Sequence, residues 1–207
     1  MAKPPSLLLP SAFSAQLISW NALDAQGFST WDFLPGMRFG ERAAWWRGGD
    51  ERANPHEGLD IRGFLTGDGR RLPLGAGARV PVLWGGEVVS IAPDFLGASV
   101  FVAHERQDSE GRRLHSVYGH VEPRPGLTGG TLLRDGDEVG TIADPAGRGT
   151  AVPPHLHLTV ALMCGGIVPE NLDWNTMRDR GWVLLLDPLP ILCGTMPPRG
   201  DGVRTTT

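Results

Sequence analysis

PHLHLTV, residues 154–160, sets two histidines one residue apart in a run that otherwise has the pattern of a β-strand. Side chains on a strand alternate with period two. His155 and His157 therefore share one face, while Leu156, Leu158 and Val160 share the other. The aliphatic face suits a core and leaves the histidine pair toward a groove or solvent. Taken alone, the fragment also fits a half-exposed strand with two chance histidines, so the rest of the chain decides.

The rest of the chain favours strands. With 207 residues there is room for one decorated domain with a real core. The 29 glycines and 18 prolines suit many short strands joined by tight turns, so the expectation is a mostly-β fold with few short helices. ARVPVLWGGEVVSIA (78–92) reads as two strands around Gly85 and Gly86. ASVFVAH (98–104) and LHSVYGHV (114–121) flank a polar loop and read as a hairpin, and LLRDGDEVGTIAD (132–144) turns at Asp135-Gly136. A helix is expected within SAFSAQLISWNALDAQG, closed by Gly27, and another within PENLDWNTMRDRG (169–181), closed by Gly181. WVLLLDPLPIL then supplies a last strand. These signals divide the chain into an N-terminal extension (1–30), a main domain (31–193) and a mobile, polar, Pro- and Gly-rich tail (194–207).

Charge and cysteine content narrow the function classes. A net charge of −4 offers no basic surface for nucleic acid. No apolar run is long enough to span a membrane, and the opening MAKPPSLLLPSAFSAQ reads as a weak secretory signal broken by Pro10. Cys164 and Cys193 lack CxxC spacing, which argues against a thiolate metal site; they suit one disulfide or two buried thiols.

The histidines gain meaning beside a second segment. Catalytic zinc takes three protein ligands of the His, Asp or Glu kind and keeps one position open for water. The helical solution, HExxH, is absent from the sequence. NPHEGLDI (54–61) instead offers His56 and Asp60, same-face positions with Gly58 between them where backbone can approach closely. With His157 they make a two-histidine, one-carboxylate set. His155 and His120, if the strands are neighbours, remain free to act as general base and as donor to an oxyanion. His104 and His115 are expected to be partly exposed structural histidines, and Trp45 and Trp46 core residues or a groove wall.

HEGLD (56–60), YGH (118–120) and HLH (155–157), in this order and at these separations, resemble the HxGxD, YxH and HxH motifs of the lysostaphin-type, LytM-like zinc metallopeptidases. RFGER (38–42), LRDGDEVGTI (133–142) and LDPLPIL (186–192) resemble that domain's opening FGxR, its VxxGxxVxxGxxIG segment and its closing strand. The resemblance runs from about Phe39 to Pro188. It implies an antiparallel sheet core with a long groove, the duplicated hybrid motif. It implies Zn2+ on His56, Asp60 and His157, catalytic roles for His120 and His155, and Tyr118 lining the site. It also implies peptidoglycan peptides as substrate and a location in the cell envelope, periplasmic or secreted.

The chain departs from the family pattern around the motifs. Ala151-Val152-Pro153-Pro154 precede HLH where the family often has Ser-Thr-Gly-Pro, and Leu158-Thr159 follow it where Phe-Glu is common. Val121-Glu122 follow YGH, and about 169–185 reads as an insertion. None of these changes removes a ligand; they bear on affinity and substrate choice. Two other classes fit less well: an inactive relative regulating wall hydrolases, which predicts lost ligands, and a phosphocarrier of the same fold, which gives no reason for HxGxD.

Overall fold

A computed structural model of the chain describes residues 8–48, 50–146, 148–166 and 172–193. Its first elements are α1 (Phe13–Trp20), β1 (Phe28–Trp31), β2 (Leu59–Ile61), β3 (Gly63–Thr66), β4 (Arg71–Pro73) and β5 (Arg79–Pro81). There follow β6 (Gly86–Pro93), β7 (Ala98–Gln107), β8 (Arg113–Pro123), β9 (Leu132–Leu133) and β10 (Glu138–Ile142). The chain closes with β11 (Leu156–Met163), α2 (Trp174–Arg178), β12 (Val183–Leu186) and α3 (Leu189–Leu192). The fold is mostly antiparallel β, as expected. One sheet is β1-β3-β4; the larger runs β12-β11-β8-β7-β6-β9, with β2 against β11 and β10 between β5 and β8.

The alternation read from PHLHLTV holds in β11, and both faces are buried. Leu156, Leu158, Val160 and Leu162 enter the main core with Val100, Val102, Leu114 and Tyr118. Ala161 and Met163 enter a second cluster with Phe101, Val117, Leu172, Met177, Val183 and Leu185. The described part of the expected insertion, with α2 and β12, thus covers the same face of β11 that carries His157. Asp173 starts α2 by accepting the backbone N–H groups of Asn175 and Thr176 at 2.9 and 2.8 Å.

The first thirty residues, expected as an extension, contribute to the main core through Phe13, Leu17 and Leu23. Helix α1 ends at Trp20, well before Gly27, because the Asn21 side chain takes up the chain end. Its Nδ2 donates to Leu17 O at 2.8 Å and its Oδ1 accepts from Arg79 N at 2.8 Å. The last segment also differs from the expected strand. Pairing with β11 stops at Leu186, and Asp187 Oδ1 accepts Leu189 N at 2.9 Å to open α3, whose first turn accommodates Pro190. Cys164 and Cys193 are both free thiols, Cys193 exposed, so no disulfide joins them. The expected tail 194–207 and residues 169–171 of the insertion lie outside the described residues.

His104 and His115 are buried, not partly exposed, because β7 and β8 extend beyond the expected ends and the sheet covers both rings. His104 Nδ1–H donates to Gly85 O at 2.9 Å, and its Nε2 lies 2.9 Å from Ser116 Oγ, which lies 2.9 Å from the Tyr118 hydroxyl. Burial lowers both histidines to about 4. Between their ordinary value of ~6.5 and that value the unfolded chain binds protons that the folded chain refuses, so stability falls as pH falls through this window. In urea unfolding at stepped pH, His104→Gln or His115→Gln should each flatten that slope. Each removes up to roughly 3 kcal/mol of the loss near pH 4. Unchanged slopes in both variants would contradict the assignment.

Candidate metal centre and groove

His56 precedes β2 and is braced by the RFGER turn. Its N–H donates to Glu41 O at 2.9 Å, and its carbonyl accepts Gly40 N at 3.0 Å. Its ring Nδ1 lies 3.1 Å from Arg38 O. A carbonyl only accepts, so Nδ1 carries the proton and Nε2 presents its lone pair inward. Asp60 sits on β2, directly opposite His157 on β11. Gly58 makes that pairing possible: a Cβ there would lie 2.3 Å from Leu158 O and 2.5 Å from Thr159 Oγ1.

Three ligand atoms converge from these elements. His56 Nε2 is 3.1 Å from Asp60 Oδ1 and 3.1 Å from His157 Nδ1, and His157 Nδ1 is 2.8 Å from Asp60 Oδ1. A tetrahedral ion bound at ~2.1 Å would set its ligands about 3.4 Å apart, so small outward shifts would seat one. The outer nitrogen of His157 lies 3.0 Å from Thr159 Oγ1, which can take its proton and leave Nδ1 free. This cluster of two imidazoles and a carboxylate, all buried, could hold a metal ion.

The other oxygen of Asp60 is held separately. Trp45 Nε1 donates to Oδ2 at 2.7 Å and Arg52 Nη2 at 3.0 Å. The Arg52 guanidinium also stacks 4.6 Å over the Trp46 ring. Burial alone would push Asp60 up, but its contacts with His56, His155 and His157 hold it well below the usual carboxylate range. The carboxylate therefore stays ionised. Neither Trp45 nor Arg52 was identifiable as an Asp60 partner, because they reach it from an irregular loop with no periodic signature.

His155 and His120 flank the cluster with rings 4.8 Å apart. His155 Nδ1–H donates to Pro153 O at 2.9 Å, so its bare Nε2 faces inward, 3.7 Å from Asp60 Oδ1. Burial lowers His155 to about 4, which keeps the ring neutral at pH 7. His120 reaches the same side through a β-bulge. Ala98 pairs with Val121 and Val100 with Tyr118, so Ser99 alone faces both Gly119 and His120. His120 takes a left-handed φ of 63°, which turns its side chain from the Tyr118 face toward His157.

Tyr118 therefore does not line the site. It is fully buried in the main core, and its hydroxyl accepts Leu83 N at 2.6 Å on the opposite face. The groove has a volume of about 560 Å³, and its walls include Trp46, Phe95, His120, His155, Trp174 and Arg178. Trp174, from the inserted segment, stands edge-on to His157 with centroids 4.9 Å apart.

No family model matches this sequence, and no curated protein matches it. Among solved structures it is similar to lysostaphin, at 17% identity and TM-score 0.43 over 74% of this chain and 49% of that one. A protein assigned as peptidase M23 from Pseudomonas aeruginosa aligns at 23% identity and TM-score 0.38, over 77% of this chain and 58% of that chain. One assigned as glycyl-glycine endopeptidase lytM from Ruminococcus gnavus aligns at 18% identity and TM-score 0.42, over 78% of this chain and 60% of that chain. The chain spans about half the length of lysostaphin.

Gly58 offers the most local test of the centre. Gly58→Ala forces the backbone of β2 away from Leu158 and displaces Thr159 Oγ1 from its place beside His157. Overpacking of this kind costs ~1–3 kcal/mol, and a disturbed outer partner lowers metal affinity roughly 10–100-fold. Denaturant unfolding and competition against a zinc chelator should show both losses. Wild-type stability and wild-type affinity would contradict the packing argument.

Proposed function

We propose that the chain is a zinc-dependent endopeptidase of the LytM-like kind that hydrolyses peptide bonds of peptidoglycan in the cell envelope, periplasmic or secreted. The supporting observation is the convergence of His56 Nε2, Asp60 Oδ1 and His157 Nδ1 to within 3.1 Å at the floor of a groove that also presents His155 and His120. These three residues would hold zinc. Bound there, zinc would supply Lewis acidity, polarising a scissile carbonyl and lowering the pKa of water toward ~7.

The chain's own residues supply the rest. His155 is neutral, its ring is fixed by Pro153 O, and its Nε2 is free to accept the proton of an attacking water. His120 lies beside His155 with rings 4.8 Å apart, where the imidazolium, protonated on Nδ1 and Nε2 together, donates from Nε2 to an oxyanion. Trp46, Phe95 and Trp174 offer flat apolar walls for an extended peptide. A regulator without catalysis has no use for an intact ligand set. A phosphocarrier has no use for Asp60 locked between two imidazoles.

Three alanine variants separate the roles. His157→Ala removes a ligand, so zinc content and release of soluble fragments from purified peptidoglycan should collapse together. His155→Ala should keep its zinc and lose a proton acceptor, typically ~10²–10⁴-fold in rate, and His120→Ala should behave likewise. Zinc lost from His155→Ala but kept in His157→Ala would reverse the two roles. Full activity in all three would overturn the proposal.

A further inference from the structure

We propose that Asp94 is a positioning residue for His120: it keeps a proton on Nδ1 and aims Nε2 into the groove. The consequence for rate rests on the peptidase reading, whereas the geometry does not. Asp94 lies in the turn between β6 and β7, and its side chain is 2% exposed. Its Oδ1 accepts Leu96 N at 2.9 Å and Gly97 N at 2.7 Å. Its Oδ2 accepts Ser99 Oγ at 2.8 Å and the backbone N–H of His120 at 2.8 Å. Four donors thus fix the carboxylate, and one of them is the backbone of the bulged residue whose ring it faces.

Asp94 Oδ2 also lies 3.2 Å from His120 Nδ1, off the line of its N–H as the ring stands. Nδ1 is buried, and among the described residues no other polar atom pairs with it. A buried polar nitrogen left unpaired is costly, and hydrogen bonds at active sites often align only when substrate is present. A small ring rotation completes this bond. The carboxylate is an acceptor only, so a lone pair on Nδ1 would be set against negative charge. The proton belongs on Nδ1, and Nε2 is the atom left for the reaction. Burial pushes Asp94 up, but the contact with His120 and the hydrogen bonds from His120 N and Ser99 bring it below the usual range, so the acceptor is ionised.

The same carboxylate reaches the opposite wall. Ser99 Oγ, bonded to Asp94 Oδ2, accepts Trp174 Nε1 at 3.0 Å, and the Trp174 ring abuts His157. Asp94 therefore fixes the His120 bulge, the His120 ring and, through Ser99, the indole beside His157. The Asp94-Phe95-Leu96-Gly97 stretch carries a turn signature in the sequence, but nothing in it points to a histidine 26 residues away.

Proton–nitrogen correlation NMR on 15N-labelled protein, zinc-free and zinc-loaded, tests the inference directly, with the His120 signals assigned by their loss in His120→Gln. The expected result is a protonated His120 Nδ1 in both forms. A bare Nδ1 with its proton on Nε2 would overturn the proposal, and this readout needs neither activity nor an Asp94 variant. On purified peptidoglycan, Asp94→Asn should retain zinc and KM and lose kcat roughly 10–100-fold. In a His120→Ala background it should cost nothing more. An equal loss in both backgrounds would overturn the proposal by showing that Asp94 acts independently of His120. If wild-type protein digests no peptidoglycan, the peptidase reading fails while the NMR result still decides the role of Asp94.

Discussion

The close antiparallel approach of β2 to β11 is the constraint on which the centre depends. Only a residue without Cβ at position 58 lets β2 lie against Leu158 and Thr159, and that contact sets Asp60 opposite His157. From this register follow the 2.8 Å contact between the two ligand atoms and the place of His56 four residues earlier in the chain. The leucine face of β11, fully buried in the main core, resists any slip, because a shift of one residue would exchange core and site faces. Packing and chemistry are therefore one requirement here, imposed on opposite faces of a single strand.

Around that register the molecule spends polar groups on holding other polar groups. His56 and His155 each give one ring N–H to a backbone carbonyl, Arg38 O and Pro153 O, which leaves a lone pair on the other nitrogen. Asp60 divides its oxygens, Oδ1 toward the imidazoles and Oδ2 toward Trp45 and Arg52. Burial makes each of these bonds matter more, since an unpaired partner would have no water to turn to. The inserted segment completes the arrangement: Leu172, Met177 and Trp174 pack with Ala161 and Met163 on the second face of β11.

Much of this was legible because it rests on short-range rules. Period-two alternation separates His157 from Leu156 and Leu158, and a glycine between His56 and Asp60 marks a tight backbone approach. What escaped the sequence depends on irregular backbone. Alternation puts Tyr118 and His120 on one face. The bulge opposite Ser99 and the left-handed φ of His120 part them, sending the tyrosine into the core and the histidine into the groove. Asp94, Trp45 and Arg52 reach the site from turns whose direction no local pattern specifies. The early end of α1 and the helical α3 have the same origin, since the side chains of Asn21 and Asp187 bond backbone groups that a periodicity reading does not weigh.

An ion seated on His56, Asp60 and His157 would be held by two imidazoles and one carboxylate and by no thiolate. Zinc K-edge X-ray absorption on the loaded protein measures this directly. The expected result is one ion per chain in a shell of light atoms at ~2.0–2.1 Å, with the outer-shell scattering of two imidazole rings and no sulfur near ~2.3 Å. A sulfur scatterer, a single imidazole, or failure of the folded protein to take up zinc would contradict it.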